Sequence, residues 1–221
     1  TMNSYYGYDV IGVWQEDDDF GLSKDGAQPG DLKYRDLNGD STITAEDRHI
    51  IGDPVPDFSW GMTNTFRIKN FGLSFYIHGV HGLDLLNNQM VDTYYPINFR
   101  RNKLAEPYVN RWTPENPSDK YPSFINPASQ GANSVNTRTV EDASYVRLQN
   151  VRLSYDIPVE NSRTFRSFRV YVSASNLFTI TDYSGMDPGT NIIGTNNAAL
   201  RIDYNTYPLS RNILFGVNVK F

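Results

Sequence analysis

The sequence contains no cysteine, so neither a disulfide framework nor a cysteine-based metal site is possible. No apolar run approaches the roughly 18 residues of a membrane-spanning helix. The net charge of −5 argues against a nucleic-acid partner and against a polybasic membrane patch. The three histidines, His49, His78 and His81, lack the spacing of a transition-metal site. The chain also has no Gly-x-Ser-x-Gly, phosphate-loop or His-Glu-x-x-His motif, so no catalytic pattern is recognised.

Aromatic and turn-forming residues are abundant instead. Aromatic residues make up 14% of the chain, and tyrosine alone occurs 15 times. Aromatic and β-branched residues favour pleated strands, whereas Asn, Asp, Gly and Pro favour turns. The composition therefore predicts an all-β protein.

The last eleven residues, 211–221, show the clearest alternation. Their even positions are mostly polar or small, and their odd positions are Ile213, Phe215, Val217, Val219 and Phe221. Successive side chains of a strand point to opposite faces, and roughly 9–11 tilted residues span a bilayer. The segment predicts a membrane strand with lipid on its odd face and a lumen on its even face. An amphipathic strand of a soluble sheet would look the same.

Other runs with period two predict further strands. Together with the last segment, strands are expected near 5–15, 58–69, 71–81, 145–157, 167–178 and 210–221, and the facing of the first is ambiguous. The apolar positions change parity across Lys69 and Asn70, as a tight hairpin turn requires. Three long connections, 16–57, 82–142 and 179–209, separate the strands.

Long and short connections alternate along the chain. Outer-membrane barrels show this asymmetry, with short periplasmic turns and long extracellular loops. Six tilted strands cannot enclose a polar lumen, since single-chain barrels start at about eight strands. We therefore expect the carboxy-terminal strands of a larger antiparallel transmembrane β-barrel in the bacterial outer membrane.

Six segments resemble the SusC/RagA family of TonB-linked outer-membrane proteins and fall in that family's usual order. They are QPGDLKYRDLNGD at 28–40, IGDPVPDF at 51–58, RWTPENP at 111–117, ASYVRLQNV at 143–151, SNLFT at 175–179 and YSGMDP at 183–188. The resemblance covers nearly all of the chain. It implies a barrel of about 22 strands with a plugged lumen. This chain would form roughly the carboxy-terminal quarter, without the plug and most of the barrel.

The resemblance also implies a function. Members of the family import large nutrients, usually oligosaccharides and in some cases peptides, with energy supplied by TonB through the plug. A SusD-like surface lipoprotein acts as a lid, and outer-membrane lipid surrounds the strands. The resemblance therefore implies a transporter and not an enzyme.

Residues 36–47, DLNGDSTITAED, have the spacing of an EF-hand calcium loop. Oxygen ligands are expected at positions 1, 3, 5, 7, 9 and 12 of such a loop. The corresponding residues are Asp36, Asn38, Asp40, Thr42 through its carbonyl, Thr44 and Asp47. Ile43 stands at the position of the usual apolar anchor. The segment therefore predicts a structural Ca²⁺ site that pins a long external loop.

Two departures keep another interpretation of this loop open. Ser41 stands where the motif has glycine, and Asp47 is shorter than the usual glutamate. A solvated, metal-free loop of Asx turns would use the same residue types. Thr44 and Asp47 also have capping-box spacing, which predicts a short helical turn at the end of the loop.

Aromatic residues of the 82–142 connection are candidates for stacking on sugar rings. They are Tyr94, Tyr95, Phe99, Trp112, Tyr121 and Phe124, with Asn98, Asn102 and Asn116 as hydrogen-bonding partners. Trp112 belongs to one of the resembling segments, which indicates that it packs the loop on itself. The acidic run Glu16–Asp19 is expected to be a solvated loop and not a second cation site.

A different class of protein accounts for part of the same pattern. A soluble, secreted β-sandwich that binds glycans, with a calcium-pinned loop, would also contain amphipathic strands. Its apolar strand faces would pack on a second sheet and not on lipid. A glycoside hydrolase has only its carboxylates in its favour, and without a pocket these carry no information about catalysis.

Overall fold

The computed structural model describes residues 4–23, 26–95, 102–125, 135–159, 164–190, 201–204 and 206–221. Contacts divide the chain into two units. The first, the loop unit, comprises 1–55, 84–142 and 189–206, and the second, the sheet unit, comprises 56–83, 143–188 and 207–221. In the part of the chain that is described, no helix is both long enough and apolar enough to cross a membrane.

Strands are the dominant elements. In chain order they are β1 (Tyr5–Gly7), β2 (Val10–Val13), β3 (Leu32–Tyr34), β4 (His49–Gly52), β5 (Phe58–Ile68), β6 (Phe71–His81), β7 (Asp84–Asn87), β8 (Val140–Asp142), β9 (Tyr145–Ile157), β10 (Ser167–Thr181), β11 (Ile202–Asp203) and β12 (Asn212–Lys220). Two short helices, α1 (Asn88–Tyr94) and α2 (Ala105–Val109), and two 3₁₀ turns, Phe20–Leu22 and Ala45–Asp47, lie between them.

The sheet unit is one antiparallel sheet with the strand order β12–β10–β9–β6–β5. These five strands correspond to the predicted strands from 58–69 onward, although β10 continues to Thr181. Ile68 pairs with Phe71, so Lys69 and Asn70 form the two-residue turn between β5 and β6. Lys69 lies in the left-handed region with φ 53°.

The two faces of this sheet differ in polarity because the register aligns like residues across the strands. One row of directly paired residues crosses all five strands as Phe66, Leu73, Leu153, Val172 and Phe215. Of these, Phe66 is 52% and Phe215 81% exposed. The neighbouring row on the opposite face is Thr65, Ser74, Arg152, Ser173 and Leu214, which is mostly polar. The apolar side chains are therefore displayed outward instead of packed in a core.

One extra residue near Gln149 changes the alternation of β9. Asn150 pairs with Tyr76, and Leu148 pairs with Ile77, so β9 advances two residues while β6 advances one. A bulge of this kind shifts the side chains beyond it relative to the regular alternation. Leu148 consequently joins the apolar face, and Arg147 joins the polar face. A regular strand would place both on the wrong sides.

The predicted barrel strand at 5–15 is wrong. The segment forms β1 and β2, which pair with β4 and β3 and do not join the five-stranded sheet. Tyr8, between them, is buried in the core of the loop unit. Gly7 passes so close to Val135 that a Cβ would lie 2.3 Å from its carbonyl oxygen. Apolar residues occupy both faces of 5–15 because the segment lies inside a folded unit.

The loop unit is formed by the long connections together with the first residues of the chain. Besides the two pairs above, β7 pairs antiparallel with β8 and parallel with β11. The main core consists of Tyr8, Val13, Leu32, Tyr34, Tyr95 and Trp112. Ile43 packs against this cluster, which confirms its predicted role as an anchor. The connections expected as loops therefore contain a core of their own.

Candidate ligand-binding cleft

The loop unit contains a cleft of about 360 Å³ whose wall is largely tyrosine. Helix α1 supplies one side, and its N-cap residue, Asn87, accepts a hydrogen bond from the Met90 N–H through its side-chain oxygen. The lining residues are Met90, Tyr94, Tyr95, Asp119, Lys120, Tyr121 and Arg138. Small-molecule sites typically measure about 300–1,000 Å³. The cleft therefore has the size of a ligand site.

Two tyrosine rings form its aromatic surface. The ring centroids of Tyr94 and Tyr121 lie 6.1 Å apart, with the planes inclined at 32°. Tyr121 is buried and Tyr94 half-buried. Burial raises the pKa of the adjacent Tyr95 to about 12, so its hydroxyl is neutral at physiological pH. Tyrosine combines an apolar ring with a polar tip, which suits contact with sugars or peptides.

Charged side chains border these rings. The Tyr121 hydroxyl donates to Glu106 on α2, whose carboxylate lies 3.6 Å from the Lys120 ammonium. Burial raises the pKa of Tyr121, and the hydrogen bond to Glu106 raises it further. The same hydrogen bond lowers the pKa of Glu106. Burial lowers the pKa of Arg138, which donates to the carbonyl oxygens of Asp119 and Lys120. The cleft thus offers both donors and acceptors beside its aromatic surface.

The predicted stacking residues separate into different environments. Those that line the cleft are Tyr94, Tyr95 and Tyr121. Trp112 is buried, and its indole N–H donates to the side-chain oxygen of Gln15 at 2.9 Å. Trp112 is therefore a packing residue, as predicted, although its partners include residues outside the 82–142 connection.

The remaining candidates do not line the cleft. Phe124 packs edge-on against Tyr108, with 5.9 Å between ring centroids. Asn116 donates to the carbonyl of Arg111 within a turn. Asn102 is exposed, while Asn98 and Phe99 lie outside the described residues.

Three polar residues in the cleft or at its border belong to no recognised sequence motif. Glu106, Lys120 and Arg138 come from separate segments, and their roles arise from contacts that folding creates. Of the three, only Lys120 has a local feature in the sequence, because it precedes Tyr121 and a lysine beside a tyrosine can form a cation–π contact. That contact is present, with 4.8 Å from Nζ to the Tyr121 ring centroid.

A second depression, of about 490 Å³, is lined by Gln15, Glu16, Asp17, Trp112, Pro114, Pro117, Ser118 and Asp119. The other two acids of the Glu16–Asp19 run have local partners. Asp18 accepts from the Gln15 N–H and pairs with Lys33 at 2.9 Å, and these contacts lower its pKa. Asp19 caps the 3₁₀ turn that follows. Half of the acidic run therefore orders the loop.

The predicted calcium loop is held by hydrogen bonds from its own backbone. The two carboxylate oxygens of Asp36 accept from the N–H groups of Gly39 and Ser41, both at 2.7 Å. Ser41 has φ 62°, the left-handed conformation for which an EF-hand loop uses glycine at its sixth position. The turn therefore has the expected backbone form despite the serine.

Asp47 closes the loop from within. Its buried carboxylate accepts from the N–H groups of Leu37 at 2.9 Å and Thr44 at 2.7 Å. Thr44 caps the following turn in return, which confirms the capping box. Burial alone would raise the pKa of Asp47, but these hydrogen bonds outweigh it and lower the pKa.

Asp40, the remaining acidic candidate ligand, makes local contacts of its own. Asp40 accepts from the Thr42 N–H at 2.7 Å, and Asn38 accepts from the Asp40 N–H at 2.9 Å, which are contacts of the Asx-turn type. Over the described ranges, no group of three or more His, Asp or Glu side chains could hold a metal ion. The calcium site stays a prediction.

Two of the segments identified in the sequence meet in the sheet unit. Arg147, from 143–151, and Asp187, from 183–188, form a buried ion pair at 2.5 Å. Arg147 also donates to the Thr179 hydroxyl, and Asp187 accepts from the Leu209 N–H. The pair therefore links β9 to the segments that follow β10 and precede β12.

Relatives of known class cover the whole chain, although no family model matches it. TonB-dependent receptor P3 of Formosa agariphila is 35% identical over an alignment of 231 positions, gaps included, that covers 100% of this chain and 22% of the receptor. TonB-dependent receptor SusC of Bacteroides thetaiotaomicron is 26% identical over an alignment of 225 positions, gaps included, that covers 100% of this chain and 20% of SusC. The chain thus spans about a fifth of the length of the curated relatives it matches. These relatives are receptors and not enzymes.

Solved structures share the fold. The RagAB peptide importer in its open-open state matches 100% of this chain and 22% of the importer chain, with a TM-score of 0.76 at 23% identity. The closed-closed state matches 100% of this chain and 23% of that chain, with a TM-score of 0.71 at 23% identity. The predicted all-β class is confirmed.

Proposed function

We infer, from the premise that this chain is a SusC/RagA-like segment of a TonB-dependent receptor, that its five-stranded sheet forms part of an outer-membrane β-barrel. The observation that carries this proposal is the outward display of apolar rows such as the one from Phe66 to Phe215. Lipid on that face and water on the other suit this alternation. A soluble sandwich would need a second sheet to cover the same rows.

The barrel serves the import of large nutrients. TonB supplies the energy through a plug, and a SusD-like lipoprotein closes the extracellular side. The support is the likeness to a receptor named SusC and to the RagAB importer. Copurification of such a lipoprotein with the receptor from outer membranes is the expected result, and its consistent absence would contradict the lid.

Oligosaccharides are the favoured nutrient, and the tyrosine cleft is the favoured contact site. The inclined rings of Tyr94 and Tyr121 present aromatic surface, and Lys120 and Arg138 lie at its border. Sugars bind through such surfaces because their C–H faces pack on rings while their hydroxyls hydrogen-bond to polar neighbours. The nutrient would contact this wall before translocation.

Peptides are the second candidate. The RagAB structures are described as those of a peptide importer. Glu106 and Lys120, 3.6 Å apart, could pair with the charged ends and side chains of a peptide. Charge-dependent binding would therefore favour peptides, and charge-independent binding would favour neutral sugars.

Calorimetric titration of the purified protein with neutral oligosaccharides and with peptides tests the cleft. Tyr94→Ala should weaken binding roughly 2- to 13-fold, because an aromatic contact contributes about 0.5–1.5 kcal/mol. Tyr108→Ala is the matched control, since Tyr108 is exposed and does not line the cleft. Equal losses in both variants, or no loss in either, would argue against the cleft.

The 36–47 loop completes the proposal as a structural Ca²⁺ site. Support comes from the oxygen spacing and from the left-handed conformation of Ser41. Calcium should raise the melting temperature of the protein, and Asp36→Asn should abolish the rise. Glu115→Gln, which removes an acid outside the loop, should leave it intact. If Ca²⁺ does not change the melting temperature of the parent protein, the calcium site is contradicted and the loop is a metal-free series of Asx turns.

A further inference from the structure

The polar face of the sheet carries a cluster of arginines although the chain as a whole is acidic. Arg67, Arg152 and Arg169, from β5, β9 and β10, line one depression of about 270 Å³. Asp156 is the acid that pairs with members of this cluster. Three guanidinium groups therefore converge where one carboxylate offsets them.

Asp156 is already fully engaged. Both of its oxygens accept from Arg169, the Nη2 bond measuring 3.0 Å, in a fork-like pair. Its Oδ2 also accepts from Arg67 Nη2 at 3.0 Å. Arg67 reaches it across β6, where its paired residue Gly72 has no side chain in the way. Asp156 therefore fixes two arginines and leaves no carboxylate for the third.

Arg152 is held by an aromatic ring instead. Its guanidinium carbon lies 3.9 Å from the ring centroid of Tyr171. Among the described residues, Arg152 has no ion pair with an acid. The residues paired with it, Ser74 and Ser173, are small, so the guanidinium is reachable from the depression. Stacking on an aromatic face holds a guanidinium plane without using its hydrogen-bond donors.

Hydroxyl groups surround this guanidinium. Thr65, Ser74 and Ser154 line the same depression. A neighbouring depression of about 310 Å³ shares Ser74 and Arg152 and adds Thr63, Asn150 and Ser175. Arg152 therefore lies at the boundary between the depression lined by arginines and the neighbouring depression lined by neutral polar residues.

We propose that this arginine cluster, centred on Arg152, is a binding site for an oxyanion, a carboxylate or sulfate group carried by a solute. Arg152 supplies a planar fork that matches two anion oxygens. Arg67 and Arg169, held by Asp156, supply fixed positive charge, and the Ser74 hydroxyl supplies a neutral donor. The site is selective for acidic solutes because a neutral one would leave the net positive charge uncompensated. The proposal concerns equilibrium binding and does not depend on transport.

Inorganic sulfate is the probe. The melting temperature of the purified protein in detergent is measured against sodium sulfate, with sodium chloride at matched ionic strength as the reference. Sulfate should stabilise the parent protein beyond chloride, because a ligand that binds the folded state raises its stability. Arg152→Gln should weaken the apparent sulfate affinity at least about 10-fold, which corresponds to about 1.4 kcal/mol.

Two further variants keep the result interpretable. Arg211→Gln removes the same charge from the segment before β12, outside the lining of the depression, and should bind sulfate as the parent does. Arg152→Lys retains the charge but loses the fork, so its affinity should lie between those of the parent and Arg152→Gln.

Three results would overturn the proposal. The first is a parent protein that responds to sulfate and chloride alike. The second is an equal loss of sulfate affinity in the Arg152 and Arg211 variants. The third is an absence of sulfate binding combined with a lowered melting temperature of Arg152→Gln, which would assign the site to a carboxylate of the polypeptide itself.

Discussion

The two units of this protein use apolar residues in opposite ways. The sheet unit has strands of 9 to 15 residues and displays its apolar face outward, with Phe215 81% exposed. The loop unit has strands of two to four residues and places its apolar residues inside, with Trp112 4% exposed. Long regular strands in one unit depend on register, while short strands in the other depend on a packed core.

The difference shows what stabilises each unit. In the sheet unit, rows of paired residues align by backbone hydrogen bonding, and the surrounding medium has to accept the apolar side chains. In the loop unit, the burial of aromatic residues itself contributes stability, and the Trp112 indole N–H donates to the Gln15 side chain. Comparable substitutions in the two units should therefore change the free energy of unfolding by different amounts.

The largest effect is expected from breaking the buried ion pair of the sheet unit. Arg147→Ala leaves Asp187 buried without its partner, which should cost about 3–5 kcal/mol of unfolding free energy. Arg67→Ala removes an arginine from an ion pair that is 66% exposed on the arginine side and should cost about 0–1 kcal/mol. Denaturant unfolding in detergent measures both. Similar losses in the two variants would contradict the buried role of Arg147.

A matched pair of tryptophans compares the two units directly. Trp112→Ala should cost about 3–5 kcal/mol, because it empties a packed core. Trp60→Ala should cost less, since Trp60 is 40% exposed on the apolar sheet face and lies against Gly79. Melting temperatures in detergent provide the comparison. A larger loss at Trp60 would reverse the contrast between the units.

The medium around the sheet is tested by adding charge to either face of β12. Val217→Arg should cost roughly 2–4 kcal/mol in a bilayer if that face meets lipid at mid-membrane depth. Asn218→Arg, on the opposite face, should be much milder. Folding yields into lipid vesicles measure the two variants. Equal penalties on the two faces would remove the basis for a membrane barrel.

The smallest effect is a pH dependence confined to the loop unit. Because the folded-state pKa of Asp47 is below its ordinary value near about 4, its ionised form adds stability above that value. This contribution is lost as the pH falls below about 4 through the folded-state pKa. Asp47→Asn should therefore lower the unfolding free energy near neutrality and flatten its pH dependence in that acidic range. A variant profile parallel to that of the parent would contradict the assignment.

Sequence reasoning succeeded where a long period of two exists. The alternation from Phe58 onward predicts β5 and β6 and the turn between them, because each face meets a different environment over many residues. It failed at 5–15, where strands of three and four residues pair with distant segments. Pairings of that kind depend on contacts such as that of Gly7 with Val135, which no local pattern encodes.

The candidate cleft was predictable in its chemistry and not in its geometry. The aromatic content of 82–142 identified Tyr94 and Tyr121, and the resembling segment around Trp112 indicated its packing role. No local sequence pattern distinguishes Tyr94 and Tyr121 from Phe124. The difference arises in the fold, where the two tyrosines line the cleft and Phe124 packs against Tyr108. The partners Glu106 and Arg138 follow from the tertiary fold alone.

The extra residue in β9 has a consequence for tolerance to deletion. Because Gln149 already interrupts the alternation, removing it would leave Arg147 and Leu148 facing as they do now. Removing Leu153 instead would reverse the facing of every side chain on one side of the deletion. Either Arg152 or Ser154 would then point to the apolar face of the sheet. Among the thirteen residues of β9, Gln149 at the bulge is therefore the position where a deletion should be tolerated best.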